Sequence, residues 1–305
     1  MSGKSPALRT SLPQRRLARK GLLFTAPYVV LLLLFGITPA AYGLYQAFIV
    51  TKIMGDPEFS LWQNFADVLG DYRLGTSAAN VALYMLTWLP ALLILVFALA
   101  LAMDAKRSKF AALTRFLTYV PGAITGSAAA LLWLFMFSPT VSPIGPALRA
   151  LSGTDATFVS DETMPLILAI MGISAGAGGW VVILFGALTG IPSDLIESAQ
   201  LDGATAWQTV WHVKLPMIRS YVAFVLIVSL ANGFQVFVEP TVIRAGAPAH
   251  ISQTWSVNQL AYVYATGGQL NYGRASALSI LLLAVCIGLA VIIIKRTNFY
   301  SLEDN

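Results

Sequence analysis

The stretch that decides the reading is IPSDLIESAQLDGATAWQTVWHVKLP, residues 191–216. Asp194 followed three later by Glu197, and Thr205 followed three later by Gln208, have the spacing of capping boxes. Gly203 lies between them and suits a tight turn or a helix C-cap. Pro216 stops the second helix or starts whatever follows it. The spacing predicts helix, glycine turn, helix: a folded knob rather than a slack linker. Its first helix offers the small Ser198 and Ala199 beside Leu195 and Ile196. Its second puts Trp207 and Trp211 one turn apart on one face. A structural loop and a docking site for another protein both remain open at this point.

What flanks the knob is apolar. Of 305 residues, 57% are hydrophobic and 11% are charged, and the mean hydropathy is +0.73. Soluble domains carry about 25% charged residues. That composition argues against a soluble enzyme and against dominant disorder. One cysteine, Cys286, excludes an intrachain disulfide, and two histidines, His212 and His250, are too few for a His-rich metal centre. A bilayer needs about 20 apolar residues per helix. Six stretches qualify: 22–50, 77–103, 110–138, 163–190, 217–243 and 275–295. Pro27, Pro39, Pro90 and Pro121 fall inside three of them, and membrane helices accept such prolines.

Lysine and arginine orient the spans. With the N-terminus inside, the inner segments hold Lys4, Arg9, Arg15, Arg16, Arg19, Lys20, Lys106, Arg107, Lys109, Arg115, Lys214, Arg219, Lys295 and Arg296. The outer ones hold Lys52, Arg73, Arg149, Arg244 and Arg274. This predicts both termini and the knob in the cytoplasm. The organisation is a basic tail (1–21), a six-helix domain (22–295) containing the knob loop (190–216), and a short tail (296–305). The first span runs well past the roughly 7–15 apolar residues of a signal peptide, so it reads as a retained helix. The outer segments 51–76, 139–162 and 244–274 read as caps or short interfacial helices. Phe59, Trp62 and Phe65 could form one amphipathic turn there. The basic clusters need no nucleic acid; a positive inner face against membrane lipid accounts for them.

The knob also carries a family resemblance. Glu197-Ser198-Ala199, three residues, Gly203, nine residues, then Val213-Lys214-Leu215-Pro216 closely resembles the EAA loop of binding-protein-dependent ABC importer permeases. That pattern is Glu-Ala-Ala, three residues, Gly, nine residues, Ile, any residue, Leu-Pro. Ser198 and Val213 depart from it conservatively. Ile191-Pro192 and Leu201-Asp202-Gly203-Ala204 look like the carbohydrate-uptake branch, of the maltose and glycerol-3-phosphate type. So do Leu61–Phe65, Arg115–Pro139, Phe234-Gln235-Val236-Phe237 and Tyr272–Ala277, so the resemblance covers most of the chain. The outer loop departs from it: Arg244-Ala245-Gly246-Ala247-Pro248 stands where the family usually has Thr, a residue, Gly-Gly-Pro.

The resemblance implies an all-α transmembrane permease subunit that moves a sugar or sugar-like solute inward by alternating access. It implies a partner ATPase dimer that binds ATP and Mg, a second related permease, and an extracytoplasmic solute-binding protein. Glu197, Ser198, Ala199, Asp202, Gly203, Leu215 and Pro216 would form the ATPase-coupling site. This chain would bind no cofactor, hold no metal and have no catalytic residue. Gly3-Lys4-Ser5 mimics the tail of a phosphate-binding loop but lacks the earlier glycine and strand. The alternative is an ion-coupled secondary transporter, which calls for acids at the span centres; none is evident.

A solute path should be lined by polar groups that lipid would penalise. Asn232, Gln235 and Glu239 recur at spacings of three and four and so would share a face of the fifth span. Interhelical hydrogen bonding would use the first two equally well, and Glu239 sits near the outer end, where a solvated role fits. Trp180 could stack on a sugar ring or simply pack. Gly172, Gly176, Gly178 and Gly179 suggest close helix contact. Tyr84 and Trp88 suggest packing. His212 reads as a surface or contact residue.

Overall fold

A computed structural model describes residues 12–51, 56–105, 109–124, 126–138, 140–152, 158–247, 250–268 and 270–297. Lys4, Arg9, the Gly3-Lys4-Ser5 mimic, Lys52, Lys106, Arg107, Pro139, Pro248 and the tail from 298 lie outside them. The helices are α1 (Leu12–Leu31), α2 (Thr38–Gln46), α3 (Gln63–Leu69), α4 (Tyr72–Ala105), α5 (Lys109–Tyr119), α6 (Gly126–Met136), α7 (Gly145–Ser152) and α8 (Met164–Thr189). Then come α9 (Ser193–Leu201), α10 (Ala206–Thr209), α11 (Leu215–Met217), α12 (Arg219–Phe234), α13 (Val238–Gly246), α14 (Val257–Thr266) and α15 (Tyr272–Thr297). A two-residue antiparallel pair, β1 (Ile49–Val50) with β2 (Glu58–Phe59), sets Ile49 opposite Phe59.

The spans expected at 77–103, 163–190 and 275–295 are α4, α8 and α15. The first is α1 and α2 joined through a π-helical stretch, Leu32–Ile37. No described residue from 23 to 46 is buried, so this span lies against the outside of the bundle. The core is centred on α4 and α8. Buried Val81, Tyr84, Trp88, Leu92, Val96, Ala100 and Met103 recur every three or four residues and form one stripe of α4. They meet Leu168, Met171, Val181, Leu184 and Leu188 of α8. Between membrane helices the gain comes from close packing rather than exclusion of water. A side-chain carbon on Gly178 would sit 2.5 Å from the Thr118 carbonyl oxygen, so only glycine allows α5 this close to α8. Gly172 does the same against the Trp88 indole, whereas Gly179 faces open space and Gly176 has only the Trp180 ring at van der Waals distance. The stripe therefore serves contact at two of its four positions.

Two expected spans are broken. The 110–138 stretch bends by 100° between Ala111–Ala123 and Gly126–Met136. Pro121 sits in a 3-10 turn (Val120–Ala123), Ile124 is extended, and Gly126 takes φ +61°. Pro90, by contrast, is carried inside α4 without a break. The 217–243 stretch ends its first helix at Phe234 and restarts at Val238. Asn258 of α14 closes this gap by donating to the Phe234 carbonyl (2.8 Å), as a break at membrane depth requires.

Further corrections fall on the loops. Phe59 and Phe65 do not form one turn with Trp62; they flank Phe48, with ring centroids 6.1 and 5.9 Å away, while Trp62 is exposed. The 244–274 segment is more than a cap. Its helix α14 opens on a capping box, Ser256 with Gln259, and buries Leu260, with Trp255 buried just ahead of it. At the same end of α4, Asp67 pairs with Arg274 (2.7 Å) and Asp71 with Arg73 (2.7 Å). Tyr264 donates to Asp71 (2.7 Å).

Candidate functional site

The knob forms as helix, turn, helix. α9 ends at Leu201, and Gly203 takes φ +82°, a left-handed conformation that suits glycine. The Ala204 N–H donates to the Ala199 carbonyl (2.9 Å) and the Gly203 N–H to the Gln200 carbonyl (3.0 Å), a Schellman turn. Thr205 and Gln208 then form a full capping box. The other expected box is absent: α9 starts after Pro192 with no side-chain cap, and the Ser198 hydroxyl donates back to the Asp194 carbonyl (2.7 Å). Proline at the N-cap presets the entry, so Asp194 contributes only its charge in the first turn.

Beyond Thr209 the chain runs through a π-helical stretch, Val210–Lys214, into α11 with Pro216 inside it. It then bends by 69° into α12. The knob thus projects from the bundle. Glu197, Asp202 and Gly203 are exposed, and Leu201 (89%), Trp207 (67%) and Trp211 are exposed apolar groups. Trp207 and Trp211 meet edge to face at 5.4 Å, which fixes them as one platform. His212 donates from Nδ1 to the Gln208 carbonyl (3.0 Å) with its ring exposed. The knob is tied to α4 by Lys214, whose ammonium lies 2.6 Å from Asp104.

Farther along α4 and α8 lies a cavity of about 440 Å³. Both helix breaks open onto it: Pro121, Ile124 and Gly126 on one side, Gln235, Val236, Val238 and Glu239 on the other. Asn232, Gln235 and Glu239 all line it, but not as one face of one helix. Gln235 terminates α12 and Glu239 opens α13, so the break brings them together. Tyr84 and Trp88 stack at 5.4 Å and are both buried packing and wall. Trp133 adds a further aromatic face. Sequence reasoning missed Trp133 and Asn258, the latter for want of any signal that α14 reaches the break. Trp180 is not in this cavity. It lines a neighbouring cleft of about 340 Å³ that shares Asn232, and it packs edge to face on Phe224. Among the described residues no group of three or more His, Cys, Asp or Glu could hold a metal ion.

Residues 77–297 match the family described as binding-protein-dependent transport system inner membrane component. The sn-glycerol-3-phosphate transport system permease protein UgpA of Rhizobium meliloti (strain 1021) is 31% identical over 273 residues, 88% of this chain and 90% of that protein. A probable starch degradation products transport system permease protein, AmyD of Thermoanaerobacterium thermosulfurigenes, is 27% identical over 269 residues, 87% and 90% of the two. Among solved structures, a bacterial alginate ABC transporter in complex with an alginate pentasaccharide-bound periplasmic protein contains a chain that superposes with TM-score 0.73. It is 20% identical, over 93% of this chain and 97% of that one, a likeness of fold. Family match, relatives and fold agree: the chain belongs to the binding-protein-dependent transport system inner membrane components, as a non-catalytic permease subunit of an ABC importer.

Proposed function

We propose that this permease moves a sugar or sugar-like solute inward by alternating access, driven through its knob by a separate ATPase dimer that holds ATP and Mg. The observation that carries this is the knob itself: two short helices locked by a Schellman turn and a capping box, exposing Leu201, Trp207 and Trp211 to a partner. Exposed apolar anchors on a rigid element suit docking. Glu197, Ser198, Ala199, Asp202 and Gly203 meet the ATPase; Leu215 and Pro216 pass its motion to α12. Closure of the ATPase dimer biases a two-state bundle at a distance.

The cavity is the solute path. Asn232, Gln235 and Glu239 supply polar groups, and Tyr84, Trp88 and Trp133 supply the ring faces on which a sugar stacks. Trp180 flanks the path rather than lining it. Knob and termini face the cytoplasm, as the positive charges require, and the opposite end receives an extracytoplasmic solute-binding protein. A second, related permease completes the passage. The named relatives span two charge classes, sn-glycerol-3-phosphate and starch degradation products. An ion-coupled secondary transporter has no support, since the family is one of binding-protein-dependent transport.

The test is affinity purification of the tagged chain from its native membrane with mass spectrometry of what accompanies it. The expected companions are an ATPase and a second permease. A lone chain that transports in liposomes without ATP would overturn the reading.

A further inference from the structure

Resting on the pathway reading above, we infer that the solute is an uncharged saccharide and that Glu239 is the residue by which this subunit rejects anions. Among the described residues, the cavity wall contains Glu239 as its one charged side chain, and no described lysine, arginine or histidine lines it. Sites that hold phosphates and carboxylates do so with arginine forks, lysines or helix N-termini. Two helix N-termini do reach this wall: α6 begins at Gly126 and α13 at Val238. Each is worth about half a positive charge. The Glu239 carboxylate sits in the first turn of α13, so one full negative charge stands against two halves. Nothing positive is left over to hold an anion.

The cation nearest in sequence on the same helix does not change this balance. Arg244 follows Glu239 by five positions, about 140° round the helix at 100° per residue, and is not among the lining residues. The other polar groups that the described residues bring to the wall are neutral and suited to hydroxyls, among them the amides of Asn232 and Gln235, the Ser174 hydroxyl and the Tyr84 phenol. Amides, hydroxyls, ring faces and no net positive charge describe an uncharged saccharide.

The experiment reads the charge of the cavity without knowing the solute. In the complex purified with this chain, Cys286, the chain's one cysteine, is replaced by alanine and Gln235→Cys is introduced. The cysteine is then labelled with a cationic and an anionic methanethiosulfonate of similar size, each rate normalised to that with a small thiol in water. The inference expects the cation to react at least as fast as the anion. It expects the cation-to-anion ratio to fall about tenfold when Glu239→Gln is added, the scale of local concentration effects in a charged cleft. A faster anion in the parent, or a ratio that Glu239→Gln leaves unchanged, would overturn it. Labelling by neither reagent would instead sink the pathway reading, because Gln235 would then face no water. As an independent readout, mass spectrometry of solute released from the co-purified binding protein should find a neutral sugar. A phosphorylated or uronate solute would also overturn the inference.

Discussion

The Lys214 ammonium lies 2.6 Å from the Asp104 carboxylate, across 110 residues of sequence, with Asp104 almost wholly buried. Lys214 ends the π-helical stretch of the knob, and Asp104 belongs to the last turn of α4. Farther up α4 stand Tyr84 and Trp88 in the cavity wall. One ion pair thus joins the knob, the element proposed to meet an ATPase, to a helix of the cavity wall. Removing one partner of a buried pair costs about 3–5 kcal/mol. Asp104→Ala should therefore lower solute uptake per ATP hydrolysed several-fold in proteoliposomes of the complex. The exchange Asp104→Lys with Lys214→Asp should recover part of it. An unchanged uptake-to-hydrolysis ratio in Asp104→Ala would show that the pair carries no motion.

Gly203 holds φ +82° at the turn of the knob. A β-branched residue there costs at least the roughly 1–2 kcal/mol of a left-handed L-residue. Gly203→Val should uncouple uptake from hydrolysis or block ATPase assembly while helical circular dichroism stays normal. Normal uptake in this variant would remove the coupling role of the turn.

Trp207 and Trp211 are exposed and meet edge to face. The double replacement by alanine should leave thermal unfolding almost unmoved, since exposed sites rarely shift stability by more than about 0.5 kcal/mol. Recovery of the ATPase with the tagged chain should nevertheless fall sharply. Full recovery would mean that the platform docks nothing.

At Gly178 the Thr118 carbonyl leaves no room for a side chain, whereas Gly179 looks onto open space. Gly178→Val should destabilise the detergent-solubilised protein by about 1–3 kcal/mol, the usual range for overpacking. Gly179→Ala should not. Equal unfolding temperatures for the two would contradict the packing of α5 on α8.

The cluster at the far end of α4 is pH-sensitive in a definite direction. The hydrogen bond from Arg73 holds the Asp71 carboxyl far below the usual carboxylate range. Burial, with the bond to Asp71, pushes Tyr264 up to about 12. A depressed acid stabilises the fold above its unfolded value near 4 and loses that contribution as pH falls. A raised tyrosine contributes fully below about 10 and loses it as pH rises through 12. Protection of the Tyr264 region in hydrogen exchange should hold between about pH 4 and 10. Asp71→Asn should remove the acid limb; an acid limb that persists in this variant would assign it to other groups.

Much of this was legible because it is local. Apolar runs of membrane length gave α4, α8 and α15, and Thr205, Gln208 and Gly203 gave the second capping box and the turn. Where sequence reading erred, a nonlocal contact decided. Pro121 breaks its span and Pro90 does not, and only the first lies beside a glycine, Gly122, pressed on the Ala175 carbonyl. Asn232, Gln235 and Glu239 were placed on one path by helical periodicity, yet a break between helices is what gathers them. Ser256 and Gln259 cap the start of α14 in the structure, but nothing in their spacing shows that Asn258 reaches across to Phe234.

That last bond carries a consequence for how the protein is made. The acceptor at Phe234 is synthesised 24 residues before its donor, which at 5–20 residues per second is a delay of about 1–5 s. Until Asn258 emerges, the broken end of α12 has no side chain of α14 to satisfy it, and lipid offers no substitute. The kink that shapes the cavity is therefore a late event of biogenesis, completed when α14 folds back onto the spans already inserted.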